Sequence, residues 1–106
     1  MEIINLTPHD VTVVMDGRNR VLPRSGQVAR VSVKRQFNGN VGNIPTFLEE
    51  YGEVEGLPEG FPEKIYVVSA MVRLAVAPRN DVFSPGELVR DAAGQPVGCR
   101  GLVANA

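Results

Sequence analysis

The chain has 106 residues, 43% of them hydrophobic, and its 11 cationic and 12 acidic side chains leave a formal net charge of −1. That length supports a single domain with a modest core, and the charge balance excludes the broad basic surface needed to wrap a long nucleic acid. Nine of the cations are arginines, whose planar forks suit phosphates and carboxylates met one at a time.

Ile3–Leu6 is a short apolar start stopped by Thr7-Pro8, where the proline pushes Thr7 toward extended geometry. Val11, Val13 and Met15 alternate with Thr12 and Val14 as a strand. Asp16-Gly17 is a hairpin signal, and Arg18–Leu22 returns beside that strand. After Ser25-Gly26 another strand places Ala29, Val31 and Val33 opposite Arg30, Ser32 and Lys34. Asn38-Gly39-Asn40 and Gly42-Asn43 read as a loop or loose hairpin end. Thr46–Val54 is extended, with Phe47 and Tyr51 as packing anchors, and Gly56–Pro62 is a surface loop.

Ile65–Val68 is the strongest strand, unbroken and β-branched, and is expected at the centre of a sheet. Ser69 caps a short helix over Ala70–Ala77 that puts Met71, Leu74 and Ala75 on one face and stops at Pro78. A loop at Arg79-Asn80-Asp81 leads to Pro85-Gly86 and a strand at Leu88–Asp91. Ala92-Ala93-Gly94 turns it, Val97–Val103 pairs back, and the last few residues are expected to fray. Six to eight short strands with one short helix give a mainly β (α+β) single domain over 1–106, a compact antiparallel barrel or sandwich with a helical plug.

Few residues offer chemistry. His9 is the single histidine, in Asn5-Leu6-Thr7-Pro8-His9-Asp10; it would serve as a base or phosphate donor, or simply bond locally to Thr7 or Asp10. The single cysteine, Cys99, rules out an internal disulfide. Beside Arg100 it could be an activated thiol paired with His9, but alternation with Val97 and Val103 places it as a small buried hydrophobe. One His and one Cys make no zinc site, and no cofactor motif is present.

Ser69 offers a helix N-terminus to an anion, or only a cap. Arg79, Asp81, Arg90, Asp91 and Arg100 form a charged series. Arg90 and Arg100 lie on strands expected to pair and so to face one ligand, with Asp81 orienting an arginine or accepting from a ribose hydroxyl; surface ion pairs are the alternative. No apolar run is long enough for a bilayer span, and the start lacks the basic flank and apolar stretch of a signal peptide, so a cytoplasmic protein with no membrane partner is expected.

Several blocks together resemble a family of small proteins encoded widely in phages and prophages. They are Asn5–His9, Tyr51–Pro58, Ile65–Ala70, Arg79–Val82, Pro85–Asp91 and Gly98–Leu102, with the Asn-rich stretch at 38–43 poorly matched. By analogy, the resemblance implies a counter-defence protein that sequesters a phosphate-bearing nucleotide signal in the infected cell, either of ADP-ribose type or a cyclic nucleotide. On that reading Arg79, Arg90 and Arg100 bind phosphates, Asn5, Thr7 and His9 supply polar contacts, and Ser69 and Asp81 complete the site of a homo-oligomer. A nucleotide-processing enzyme using His9 or Cys99, and a structural or assembly protein of the virion, are the competing expectations.

Overall fold

Alternation and turn chemistry carry through directly into the first hairpin. In the computed structural model, which describes all 106 residues, β1 (Glu2–Asn5) is followed by β2 (Val11–Met15) and β3 (Arg18–Leu22), turned at Gly17 with φ 74°. Then come β4 (Arg30–Val41), β5 (Ile44–Glu55), β6 (Lys64–Val67), α1 (Ala70–Ala75), β7 (Val82–Arg90) and β8 (Pro96–Ala104). Six strands form one sheet in the order β1-β6-β7-β8-β2-β3. Its two edges approach each other: Asn5 bridges to Arg24, and the Ser25 N–H donates to the Asn5 carbonyl at 3.0 Å. The result is a nearly closed, barrel-like β body with one short helix. No helix is long and apolar enough to cross a membrane.

Strand direction is mixed where an antiparallel arrangement was expected. β1 and β6, β6 and β7, and β2 and β8 pair parallel; only β2 with β3 and β7 with β8 run antiparallel within the sheet. A strand's side-chain period is the same in either direction, so the local pattern does not distinguish them. β6 is an interior strand, flanked by β1 and β7 and second from the sheet's edge. Its side chains are buried on both faces, which accounts for a run without polar alternation. Val67 joins Val11, Val13, Leu22 and Cys99 inside the barrel, while Tyr66 and Val68 pack outside it with Leu6, Ala29, Val72 and Val82. Only 13 of 106 residues are buried, so both layers are thin and each polar group within them weighs heavily.

The helix α1 is capped as expected: the Val72 N–H donates to Ser69 Oγ at 3.3 Å. It ends at Ala75, before the proline. Three segments depart from the expected boundaries. Asn38–Val41 is strand, and the tight turn is confined to Gly42-Asn43, both at positive φ as a type I′ turn requires. Pro85-Gly86 lies within β7, which begins at Val82. Asn105 is fixed in place: it donates to the carbonyls of Arg73 and Arg79 at 3.1 and 2.9 Å.

β4 and β5 form a separate two-stranded hairpin of 12 residues per strand. Its root packs on the body through Val31 and Val54. The remainder stands away, which raises the radius of gyration to 16.5 Å, against about 13 Å for a compact domain of this length.

Candidate functional site

The loop after β1 is organised by Asn5, which is 1% exposed at the barrel seam. Its Nδ2 donates to the carbonyls of Leu22 (2.8 Å) and His9 (2.9 Å), and its Oδ1 accepts from the Thr7 N–H at 2.9 Å. Thr7 Oγ1 lies 2.6 Å from Asn5 Oδ1 and 2.9 Å from the His9 carbonyl, so its single proton serves one of them at a time. Asn5 and Thr7 therefore spend their polar atoms on the fold, fixing the backbone of His9 and leaving its imidazole exposed. Asp10 anchors the other side, its Oδ1 accepting from the Arg24 N–H at 2.9 Å.

His9 and Asp10 sit on the rim of an open groove of about 490 Å³ between the His9–Thr12 segment and the β7–β8 hairpin. Pro85, Gly86 and Leu88 of β7 and Pro96–Cys99 of β8 form the opposite wall. Two glycines permit this shape. A side chain at Gly86 would run into the carbonyls of Arg100 and Gly101, and one at Gly98 would come within 2.6 Å of the Thr12 carbonyl. Leu88 and Val97, both substantially exposed, supply apolar surface. Cys99 reaches the groove but is 5% exposed, and its thiol lies 3.5 Å from the Gly101 carbonyl. The sulfur thus packs within the barrel as a small hydrophobe with a weak hydrogen bond, an arrangement that does not aim it at a ligand.

The arginines are dispersed. Arg79 Nε and Nη2 donate to Asp81 Oδ1 and Oδ2 at 2.5 and 2.9 Å, Nη2 also reaches the Pro58 carbonyl at 2.6 Å, and the guanidinium lies over the Tyr66 ring at 5.7 Å. Its fork is thereby used to pin the 56–63 loop to the body. Ser69, Arg79, Asp81 and Arg100 do not line the groove. Arg100 stands opposite Glu87 in the ladder, one residue out of phase with Cys99, and so projects from the other face. Arg90 is better placed. Its register partner Pro96 lines the groove, and its Nη1 donates to the Gly94 carbonyl at 2.8 Å, which holds the guanidinium near the hairpin tip.

Sequence reasoning passed over Arg73 and Arg24. Arg73 donates to the buried Ser84 Oγ at 2.8 Å and to Asn105 Oδ1 at 2.9 Å, tying α1 to β7 and to the chain end. A basic residue in the last turn of a helix was its one visible signal. Arg24 is exposed and its backbone N–H, not its guanidinium, bonds to Asp10 on the groove rim; no local pattern singles it out.

The Arg79–Asp81 pair has a pH signature. The hydrogen bonds from Arg79, aided by its charge and opposed by desolvation, hold the Asp81 carboxyl below its ordinary range; the Asp81 hydrogen bond in turn raises Arg79. A carboxyl whose folded pKa lies below its unfolded value stabilises the fold above the unfolded pKa, and that contribution is lost as pH falls through the folded one. Asp81→Asn is therefore expected to be destabilising at neutral pH. Its deficit relative to the parent, measured by urea titration, should shrink steadily below about pH 5; a deficit independent of pH would rule out this role for the pair.

Comparison with known proteins finds no family model, no curated protein and no solved structure that matches this chain.

Proposed function

We propose that the chain is a non-enzymatic binding protein that takes a small nucleotide into the groove beside His9. The observation carrying this reading is the groove itself. Its volume of about 490 Å³ falls within the range of small-molecule sites, and it combines an apolar wall with a few polar groups. Leu88 and Val97 offer surface to a base, Asp10 accepts from hydroxyls, and His9 donates to anionic oxygen. Arg90, held by the Gly94 carbonyl at the hairpin tip beside the groove wall, takes the phosphate role that Arg79 is too committed to fill. The thiol of Cys99 is engaged within the barrel and not aimed into the groove, so sequestration fits this geometry better than turnover through that thiol. The phage-family resemblance makes an immune signal, of ADP-ribose type or a cyclic nucleotide, the ligand class of choice.

A thermal-shift series with ADP-ribose and cyclic nucleotides tests the proposal. One of them should raise the melting temperature in a concentration-dependent way and be recovered intact after heat denaturation. His9→Ala and Arg90→Ala should each weaken the shift, reducing affinity about tenfold or more. Recovery of cleaved ligand would instead favour the enzyme reading through His9 or Cys99, and no stabilisation by any nucleotide would overturn the proposal. The projecting β4–β5 arm favours a second reading, an assembly protein of the virion, which co-purification with particles would support.

A further inference from the structure

The groove beside His9 carries an uneven set of charges. His9 and Asp10 are the ionisable side chains on its lining apart from the packed Cys99 thiol, and neither Lys nor Arg is among them. The permanent charge at the rim is therefore the Asp10 carboxylate, and it is held from both sides. Its Oδ1 accepts from the Arg24 N–H at 2.9 Å, and the His9 carbonyl just before it in the chain is fixed by Asn5 Nδ2 at 2.9 Å. No ion pair neutralises Asp10, and its Oδ2 meets no donor within the chain. An ionised carboxylate offers about four acceptor sites and no donor. The Arg24 N–H uses one, so room for two hydroxyls remains on a group that is already oriented and exposed. Capping the Arg24 N–H needs a single oxygen, which a neutral amide supplies equally well, so that bond does not call for the charge.

We propose that the Asp10 carboxylate holds the paired hydroxyls of a free ribose, so that the groove takes a ligand of ADP-ribose type and turns away cyclic nucleotides. This rests on the reading of the groove as a nucleotide site and decides between the two ligand classes which that reading leaves open. Two differences separate the classes. The first is hydrogen bonding. A ribose with both ring hydroxyls free presents two adjacent donors to one acceptor-only group, the pairing by which an acidic side chain holds ribose in dinucleotide sites. A cyclic nucleotide has one of those oxygens tied up as a phosphate ester and keeps one donor. The second is charge. In a cyclic nucleotide the phosphate is fused to the sugar, so its anionic oxygens arrive at Asp10 together with the remaining hydroxyl. They are repelled there, and no Lys or Arg on the lining offsets the repulsion. In ADP-ribose the diphosphate leaves the adenosine sugar on the side away from its hydroxyl pair. With those hydroxyls on Asp10 and the base against Leu88 and Val97, the diphosphate runs out over the Pro96 margin. Arg90 is the register partner of Pro96 and is tethered there through Nη1, which leaves its other guanidinium N–H groups for the phosphates.

Calorimetric titration of the full chain with ADP-ribose, adenosine monophosphate, deoxyadenosine monophosphate and cyclic adenosine monophosphate tests it. The first two keep both hydroxyls, the deoxy compound lacks one, and the cyclic compound has one esterified. The deoxy compound has the charge of adenosine monophosphate, so it isolates the hydroxyl from the phosphate. A bond from a hydroxyl to a charged acceptor at an exposed position, where water refills the gap, lies at the low end of the range for such bonds. The deoxy compound should therefore bind about tenfold more weakly than adenosine monophosphate, and the cyclic compound, which adds repulsion, more weakly still. Asp10→Asn keeps an oxygen for the Arg24 N–H and removes the charge, so the preference for adenosine monophosphate over the cyclic compound should largely disappear. If that variant fails to fold, the ranking on the parent protein decides alone. A deoxy or cyclic compound bound as tightly as adenosine monophosphate overturns the role of Asp10 and leaves the nucleotide site standing, as does an Asp10→Asn protein whose ranking is unchanged. Binding of none of the four overturns the nucleotide site itself, and the role of Asp10 with it.

Discussion

Asn5→Leu is expected to lower the unfolding free energy by about 3–4 kcal/mol. The side chain is 1% exposed and every polar atom on it is used. Leucine matches it in heavy-atom count but is bulkier, so crowding at this buried position adds to the lost hydrogen bonds. The Leu22 carbonyl, in a buried bond, loses its side-chain donor at about 1–3 kcal/mol, and the Thr7 N–H and His9 carbonyl lose partners that water replaces only in part. The site also joins β1 to the end of β3, so the seam of the barrel opens with it. Asn5→Asp gives a sharper test. It keeps the acceptor for Thr7 but sets a carboxylate against two carbonyls, which raises its folded pKa above the unfolded value near 3.9. Its penalty is therefore full above the folded pKa and eases as pH falls through it, once a protonated carboxyl donates to one of the carbonyls. Chemical denaturation of both variants over a pH series measures this. A leucine variant within about 1 kcal/mol of the parent would show that the seam is held elsewhere.

How much of this was legible in the sequence follows from the range over which each feature acts. Val11–Leu22 was readable to the residue because alternation and Asp16-Gly17 are local. The β-branched run at Ile65–Val68 announced a strand buried on both faces, and Ser69 announced its cap. Parallel pairing of β1, β6 and β7 leaves no such trace: Glu2 pairs with the far-off Lys64, and Tyr66 reaches Val82 only through a crossover that contains α1. Asn38-Gly39-Asn40 resembles a turn but lies within β4: Asn40 pairs with Pro45, while Asn38 and Gly39 sit at a register shift in the ladder, with Gly39 at φ 89°. Pro85-Gly86 misleads in the same way: glycine is required there by the approach of the Arg100 and Gly101 carbonyls, not by a turn.

At the site, the sequence identifies residue types but not which of their polar atoms the fold consumes. His9 does stand on a groove, and Asn5 and Thr7 lie beside it, but as the scaffold that presents its backbone. The arginine forks stand out by residue type alone. Which of them were free depended on acceptors the fold supplies: the neighbouring Asp81, an ion pair already open to the sequence as the alternative, and the remote Pro58 carbonyl occupy Arg79, while Ser84 and Asn105 occupy Arg73. A fork already filled by the fold is unavailable to a phosphate, and acceptors far along the chain leave no mark in local spacing.

The second large effect is expected at Gly98, where β8 runs beside β2 and forms the groove's floor. Their parallel register is carried by Val13 and Cys99, so the contact is short. A methyl group at Gly98 would stand 2.6 Å from the Thr12 carbonyl oxygen and 3.0 Å from Val14 Cγ2. The first of these is backbone and cannot rotate away, so Gly98→Ala must push the two strands apart at a point where the barrel closes. Overpacking of this kind costs about 2–3 kcal/mol. Gly94→Ala in the adjoining turn is the matched control. There φ is 81° but no atom lies within 4 Å of the added carbon, so only the left-handed backbone is penalised, at about 1 kcal/mol. Denaturant titration of the pair should rank Gly98→Ala clearly below Gly94→Ala, and equal stabilities would refute the close approach of β2 and β8. The functional consequence separates them further. Spreading β2 from β8 moves the His9–Thr12 segment away from Val97 and Leu88, so if the groove binds a nucleotide as proposed, Gly98→Ala should abolish stabilisation by it even at temperatures where the variant remains folded, while Gly94→Ala retains it.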